Sequence, residues 1–430
     1  MNGNVVFWFR RDLRLNDNMG LLKALHSGHE VIPLFIFDNE IVDELEVDDP
    51  RISFILEQLG KISGILSSYG SGLIIKRGKV ADVLNELISK FNIISVFANE
   101  DYEPYPVARD KIVAELLAEN NIPFDLSPDH LVFPPGKVLK NDGNPYTVYT
   151  PYSRKWLGMF SESTPEVYDI NPYSDRFSRN ITPSGTAPDT FGFRTSDISA
   201  RPFDISPGLL SGYEHTRNTP ALNGTSNLGP HLRFGTVSIR EVARLASGTS
   251  AIFLKELVWR EFFMQILYYY PYAVTGSFKP KYDRIEWRNN EDEFERWCRG
   301  TTGYPMVDAG MRELNTTGYM HNRVRMITAG FLTKHLLIDW RWGEAYFARK
   351  LLDYELSSNN GNWQWAAGSG CDAAPYFRIF NPYEQQKKFD PSFAYIRRWI
   401  PEFNTSGYPE PVVEHQFARR RALEAYSAIN

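Results

Sequence analysis

The alternation of short apolar runs with helix-like stretches in the first 130 residues constrains the fold more than any other feature. Runs rich in β-branched or aromatic residues are typical of strands and lie at Val5–Phe9, Val31–Phe37, Leu73–Lys76 and Ile93–Ala98. Stretches with helical spacing separate them, such as Ile52–Ser68. Strands that alternate with helices predict βα units. We therefore predict an N-terminal α/β domain over residues 1–130, with a parallel, five-stranded, Rossmann-like sheet that contains these four strands and one more.

The pattern changes after this region. Residues 131–208 contain turn and linker chemistry, including Pro134-Pro135 and the polar stretch 141–144. From residue 209 to residue 430, apolar residues recur at three- and four-residue spacing, most clearly in Ile252–Tyr270 and Asn322–Leu337. The sequence therefore predicts a long linker that leads into an all-helical domain.

Missing motifs exclude several classes of function. No G-x-G-x-x-G follows the first strand and no G-x-x-x-x-G-K-[ST] occurs, so neither a dinucleotide fingerprint nor a P-loop is predicted. Two cysteines, Cys298 and Cys371, are too few for a structural zinc site, an iron–sulfur cluster or a disulfide framework. The apolar run before the first arginines is too short for a signal peptide or a membrane span. We expect a cytoplasmic protein with no metal and no membrane partner.

The net charge of −5 gives no global signature of nucleic-acid binding. A local basic surface is nevertheless sufficient for contacts with phosphates, because the attraction is short-ranged in salt. The charge therefore leaves DNA binding open.

One face of the helix predicted around residue 259 combines an acid, an indole and a guanidinium. Glu256, Trp259, Arg260 and Phe263 follow a spacing that places them on the same face. Burial of the two charges without partners would be costly. The stripe fits either a solvent-facing ion pair beside a partly buried Trp or a pocket wall that stacks a flat ligand on Trp259.

Two further segments are compatible with ligand binding. Asn322, Arg323 and Met326 share one side of the next helix, and Arg325 points to the adjoining side. The hydroxyl-rich segment 224–235 precedes a helix, where hydroxyl and backbone N–H groups either grip a phosphate or simply cap the helix.

The run NNGNWQWAAGSGCDAAPYFRIFNP, from Asn359 to Pro382, is the hardest to explain by packing alone. A tight Asn-Asn-Gly-Asn turn leads into Trp-Gln-Trp. Within a helical turn, Trp363 and Trp365 point about 200° apart. Two large rings on opposite sides of one turn indicate two separate tasks.

Several blocks of the chain resemble the photolyase/cryptochrome family almost from end to end. They are FWFRRDLRLNDN (7–18), TVYTPYSRKW (147–156), KELVWREF (255–262), TGYPMVDAGMREL (302–314), MHNRVRMITAGFL (320–332) and the run from Asn359. The chain is most similar to class I photolyases, carbon–carbon lyases that use light to repair cyclobutane pyrimidine dimers (CPDs) in DNA. The resemblance implies a helical FAD-binding catalytic domain over residues 209–430 and an antenna-type α/β domain before it.

The resemblance also implies a set of FAD-binding positions. They are Tyr213, Thr225, Ser226, Asn227, Leu228, Gly229, Phe253, Arg260, Arg325, Asp353, Tyr354, Glu355 and Asn359. Arg325 and Asp353 should form an ion pair, and Asn359 should face flavin N5 and favour the reduced flavin. Four positions, Phe253, Asn227, Gly229 and Glu355, depart from the residues common in the family.

A second, light-harvesting chromophore is typical of the family. Its folate-type site departs from the family pattern at Pro106 and at Ala273-Val274. The resemblance therefore does not imply a folate antenna, and it leaves a deazaflavin, a flavin or no antenna as alternatives.

Electron supply and substrate binding are assigned by the same resemblance. Trp363, Trp340 and Trp287 match a tryptophan chain that reduces the oxidised flavin again, because indole is readily oxidised. The positions that match the pocket for a flipped dimer and its DNA backbone are Arg217, Glu256, Trp259, Asn322, Arg323, Met326, Trp365 and Arg378. Lys387 and Lys388 extend the predicted basic face. We expect the enzyme to act as a monomer on DNA that contains pyrimidine dimers.

The same residues bear on two alternatives to CPD repair. Enzymes that repair the (6-4) photoproduct use a pair of histidines for acid–base chemistry, and here His321 is followed by Met326 where the second would stand. Cryptochromes, which are blue-light photoreceptors, often carry a long C-terminal tail and alter the residue that faces N5. The chain keeps Asn359 and ends about fifty residues after Pro382, so CPD repair is the favoured prediction.

Overall fold

The computed structural model describes residues 3–429, which divide into two compact units. Unit 1 comprises the chain up to Lys137 together with Leu157–Ala200 and Leu228–Leu245. Unit 2 comprises Val138–Trp156, Arg201–Asn227 and the chain from Ala246 onward. Residues 131–208, predicted as a linker, contribute to both units. Every helix in the described part of the chain is too short or too polar to cross a lipid bilayer.

Unit 1 contains a parallel five-stranded sheet in the order β3-β2-β1-β4-β5. Its strands are β1 (Asn4–Phe9), β2 (Glu30–Asp38), β3 (Ile74–Gly78), β4 (Ile93–Asn99) and β5 (Phe124–Ser127). Phe7 and Phe9 of the central strand enter one apolar cluster, while Val6 and Trp8 enter another on the opposite face. Burial on both faces explains the continuous apolar run of β1. The predicted fold class is confirmed.

Helices follow the strands of the sheet and continue along the chain. They are α1 (Met19–His26), α2 (Asn39–Val42), α3 (Pro50–Ser68), α4 (Val80–Lys90), α5 (Pro104–Glu119), α6 (Tyr149–Glu162), α7 (Pro207–Thr216), α8 (Gly229–Arg233) and α9 (Ile239–Thr249). Short 3-10 turns occur at Asn171–Arg176 and Pro188–Phe191. The division of the chain between the two units falls inside α6 and α9.

Unit 2 is helical. Its further helices are α10 (Ala251–Tyr269), α11 (Glu291–Arg299), α12 (Pro305–Thr317), α13 (Asn322–Gly330), α14 (Trp340–Lys350), α15 (Leu356–Ala367), α16 (Pro382–Phe389), α17 (Ala394–Trp399) and α18 (His415–Ser427). Two 3-10 turns, Pro271–Val274 and Pro280–Arg284, follow α10. A large apolar cluster drawn mainly from α12, α13, α14 and α15 forms its core.

Two local predictions in unit 2 were wrong. One continuous α-helix was expected over Asn322–Leu337, but the α-helix ends at Gly330. A π-helical turn, Phe331–Leu336, follows it and ends at Leu337, which has a φ of 52°. The Asn-Asn-Gly-Asn stretch is not a turn but lies inside α15. A Cβ on Gly361 would stand 2.2 Å from Cδ1 of Phe263, so packing against that ring requires glycine there despite its low helix propensity.

Candidate functional site

A cavity lies among α13, α14 and α15 in unit 2, and about 600 Å³ of empty space lies within it and its mouth, which is open to solvent. Many of the residues predicted for a cofactor or substrate line it: Asn322, Arg325, Met326, Asp353, Tyr354, Glu355, Asn359, Trp363 and Trp365. Ala329, Phe347 and Leu351 add apolar surface to the wall. The cavity therefore combines one ion pair, amide groups and flat apolar rings, which is the lining expected for an aromatic, polar cofactor.

The ion pair on the cavity wall is the predicted one. One terminal nitrogen of Arg325 lies 2.9 and 3.1 Å from the two carboxylate oxygens of Asp353, and Arg325 Nε donates to the backbone oxygen of Met320 at 2.7 Å. Burial lowers the pKa of Arg325, but the charge of Asp353, its hydrogen bond to the guanidinium and the charges of Tyr319 and Glu313 together raise the pKa above its usual value. The pair thus keeps both charges at the cavity wall.

The amide of Asn359 is held in one orientation. Its Nδ2 donates to the backbone oxygen of Glu344 at 3.1 Å and to the carboxyl Oε1 of the same residue at 2.8 Å. A backbone carbonyl only accepts, so the nitrogen must face Glu344 and the amide oxygen remains as an acceptor for a ligand N–H. Burial raises the pKa of Glu344, which the bond from Asn359 opposes. Sequence reasoning missed Glu344, because no pattern links α14 to the amide of α15.

Glu355 has a local role at the same wall. As the N-cap of α15, it accepts bonds from the Ser358 N–H at 3.0 Å and from the hydroxyl groups of Ser357 and Ser358 at 2.5 and 2.6 Å. An acceptor at this position satisfies N–H groups that the first turn of a helix leaves unpaired. The longer acidic side chain therefore fixes the start of the helix that carries Asn359.

The three tryptophans of the predicted electron chain belong to one apolar cluster. Trp363 is buried, and its ring packs on Phe347 at 5.0 Å and on Gly343, where a Cβ would stand 2.1 Å from Cη2 of the indole. Trp340 is buried as well, and its Nε1 has no hydrogen-bond partner. Trp287 is half-buried. Trp287 is thus more exposed than Trp363 and Trp340, and electron transfer along the three rings stays a prediction.

The remaining predicted cofactor residues lie outside the lining of this cavity. Tyr213 of α7 and Phe253 of α10 contact each other edge to face at 5.1 Å. The Thr225 hydroxyl lies 3.1 Å from the Tyr319 hydroxyl, and Asn227 adopts a φ of 52°. Ser226, Leu228 and Gly229 continue this segment into α8, and Arg260 is half-buried on α10. Their part in binding a phosphate or a flavin stays a prediction.

The face of α10 that carries Glu256 and Trp259 meets neighbours that the sequence did not indicate. Glu256 pairs with Arg217 at 2.6 Å, so two residues predicted for the substrate bind each other. The Trp259 ring is stacked on Tyr149 and contacts Phe263 at a centroid distance of 5.5 Å. The paired charge and the half-buried indole agree with the first alternative for this stripe, and a pocket wall that stacks a flat ligand on Trp259 stays a prediction.

A cluster of arginines lies on this side of unit 2. Arg323 donates to Asn218 Oδ1 at 2.6 and 3.2 Å, and its guanidinium lies 4.5 Å from the centre of the Phe389 ring. Burial, and then the positive charges of Arg217 and Arg378, lower the pKa of Arg323. Arg217 is itself paired with Glu256, whose charge opposes this lowering, and contacts of these arginines with DNA phosphates stay a prediction. Arg378 is exposed in the loop between α15 and α16, and Lys387 and Lys388 are exposed on α16.

Two family models match the chain. The model for DNA photolyase matches residues 5–169, and the model for the FAD binding domain of DNA photolyase matches residues 253–406. The deoxyribodipyrimidine photo-lyase of Vibrio cholerae is 36% identical, over 98% of this chain and 98% of that protein.

Solved structures give the same result. A bacterial class III photolyase from Agrobacterium tumefaciens is 35% identical, with a TM-score of 0.89 over 100% of this chain and 98% of that one. An archaeal photolyase from Sulfolobus tokodaii, solved with two FAD molecules, is also 35% identical, with a TM-score of 0.86 over 99% of this chain and 100% of that one.

Proposed function

The chain belongs to the DNA photolyase family, and we propose that it uses light to repair cyclobutane pyrimidine dimers in DNA with bound, reduced FAD. The observation that carries the proposal is the cavity wall, where Asn359 offers an oriented acceptor beside the Arg325–Asp353 pair. The proposal uses residues of one chain only and therefore includes activity as a monomer.

The residues of the cavity fit a flavin. Arg325 and Asp353 would face its polar edge, and the Asn359 oxygen would accept the N5–H that only the reduced ring carries. Trp363 would contribute an apolar wall and electrons. Reduced FAD, when bound, would supply the light-driven one-electron chemistry that splits the cyclobutane ring without net oxidation or reduction.

Substrate recognition is assigned to the side of unit 2 that carries the arginine cluster. Arg217, Arg323 and Arg378 would hold the DNA backbone, as positive side chains do for phosphates. Trp259 and Trp365 would contact the flipped dimer, a contact that contributes about 1–3 kcal/mol per stacked base. Glu256 would accept a hydrogen bond from a pyrimidine N–H, after exchange of its bond with Arg217.

The surroundings of His321 argue against repair of the (6-4) photoproduct. His321 caps α13, where its Nδ1 accepts the Arg323 N–H at 3.1 Å. Burial, and then nearby arginines led by Arg325, lower its pKa to about 4. At neutral pH the ring is uncharged and engaged in the fold, so it is a poor proton donor for that reaction. The position expected for a second histidine is occupied by Met326.

A repair assay on defined duplexes tests the proposed function. Two duplexes of the same sequence carry one CPD or one (6-4) photoproduct, and each is incubated with reduced protein under blue light and in the dark. We expect light-dependent loss of the CPD only. Repair of neither lesion by FAD-loaded protein would contradict the proposal and favour a photoreceptor, and repair of the (6-4) adduct would assign the other photolyase activity.

Glu256→Ala is expected to weaken repair while FAD binding is retained. Loss of a hydrogen bond to a charged acceptor should lower affinity for the CPD duplex by about tenfold. The measurement is repair rate against substrate concentration, together with FAD content from absorbance. Glu256→Gln keeps a hydrogen-bonding carbonyl and should retain much of the affinity. Unchanged repair by Glu256→Ala would remove Glu256 from the pocket.

A further inference from the structure

Trp259, the predicted stacking residue of the substrate pocket, already carries a second ring on one of its faces. Tyr149, at the first position of α6, is stacked on it with a centroid distance of 3.6 Å and an interplanar angle of 6°. This contact is shorter and more nearly parallel than the contact of Trp259 with Phe263, which has a centroid distance of 5.5 Å and an angle of 29°. Tyr149 therefore closes one face of the indole and leaves only the rest of its surface to a base.

The Tyr149 ring is anchored rather than free to swing. Its hydroxyl donates to the backbone oxygen of Lys255 at 2.8 Å, four residues before Trp259 on the same helix. Phe262 contacts the ring edge to face at 5.9 Å. The Tyr149 ring is thus held by its hydroxyl group and by its stacked face. Because packed side chains favour single rotamers, a fixed Tyr149 ring limits the rotation of the Trp259 indole that it covers.

Tyr149 also reaches the loop that carries Arg378. Its backbone N–H donates to Asp372 Oδ2 at 3.1 Å, and Asp372 lies in the same loop between α15 and α16 as Arg378. One residue thus joins the helix with the predicted base contact to the loop with a predicted phosphate contact. Nothing in the sequence pattern connects these three segments.

We propose that Tyr149 is a positioning residue of the dimer-binding pocket, which fixes the orientation of Trp259 and ties it to the loop of Arg378. The inference rests on the proposed function. Phosphate contacts do not depend on the Trp259 ring, so Tyr149 should act on the preference for a dimer and not on affinity for DNA in general. It should likewise act on KM and not on kcat, because the cavity that would hold FAD is lined by other residues.

Dark binding of paired oligonucleotides tests this role. Fluorescence anisotropy compares a duplex that carries one CPD with the undamaged duplex. Tyr149→Leu removes the stack and is expected to lower affinity for the CPD duplex by about two- to tenfold, the cost of ordering one released side chain on binding. Affinity for undamaged DNA, FAD content and kcat for repair should stay at wild-type values. Tyr149→Phe keeps the stack and should bind nearly as wild type does.

The matched control is Tyr268→Leu, which removes an exposed tyrosine from the last turn of α10. Asp372→Ala tests the tether without a change to the stack. It also loosens the loop of Arg378, so affinity for both duplexes should fall, and affinity for the CPD duplex should fall further. A Tyr149→Leu protein with wild-type preference would overturn the proposal, as would a parallel loss of affinity for both duplexes. If Tyr149→Leu does not fold, unchanged preference in Asp372→Ala overturns it. A wild-type protein with no preference for the CPD duplex would contradict the proposed function as well.

Discussion

Trp363→Phe is expected to nearly abolish the light-driven reduction of bound, oxidised FAD and to leave repair by chemically reduced enzyme close to wild type. Phenylalanine is much harder to oxidise than indole, so the first step of electron supply is lost. Repair by enzyme that is already reduced does not use this step. The measurement is the loss of the visible absorption of oxidised FAD under anaerobic blue light, beside a repair assay after treatment with dithionite.

Two controls make this result specific. Trp342→Phe changes another partly buried tryptophan of the same apolar cluster and should photoreduce normally. Trp365→Phe, two residues along α15, should photoreduce normally but bind the CPD duplex less well. The smaller ring at position 363 leaves space beside Gly343 and Phe347, and a stability loss of about 1–3 kcal/mol is expected from that cavity. Equal loss of photoreduction and pre-reduced repair would contradict the division of roles.

Arg325→Met is expected to cause the largest loss of stability and to impair FAD retention. The substitution leaves Asp353, with 16% of its side chain exposed, without its cationic partner at 2.9 Å. Removal of one partner from a buried pair costs about 3–5 kcal/mol, and the partial exposure of this pair places the expected loss near the lower end. Urea unfolding of FAD-free protein and equilibrium dialysis of FAD measure the two effects separately.

A second substitution, at Asp353, shows whether the stability loss of Arg325→Met comes from the unpaired charge or from lost packing. Arg325→Met combined with Asp353→Leu removes the orphaned carboxylate, so the double variant should be more stable than Arg325→Met alone. FAD binding should remain weak in both. Arg325→Lys keeps the charge but not the forked geometry, and should lie between wild type and Arg325→Met. A double variant no more stable than the single one would show that packing, not charge, dominates.

The helices of unit 2 were largely predictable where apolar residues recur at three- and four-residue spacing. Ile252–Tyr270 was predicted as a helix, and α10 spans Ala251–Tyr269. The π-helical turn after Gly330 was not predictable, because its apolar spacing is the same as that of a continuing α-helix. The Asn-Asn-Gly-Asn stretch misled for a related reason: its propensity favours a turn, but packing of Gly361 against Phe263 overrides it.

In the candidate site, too, some contacts were predictable from the sequence and others were not. The pair of Arg325 with Asp353 was predicted from the family resemblance and is confirmed. The partners Glu344 and Tyr149 were not, although Tyr149 stands inside a block that carries the resemblance. A motif identifies which residues matter, but it does not identify the neighbour that orients each of them. Such neighbours come from other elements, and no periodicity relates them.

By itself, the sequence determined the α/β and helical character of the two parts, the family and the chemical types gathered in unit 2. It could do so because periodic burial and local propensity act within one element. Only the tertiary structure decided that a hydrogen bond to Glu344 orients the Asn359 amide. The same holds for the ion pair of Arg217 with Glu256 and for the stacking of Tyr149 on Trp259. These choices depend on distances of a few ångströms between elements far apart in the chain, where several partners of similar chemistry compete and packing selects one.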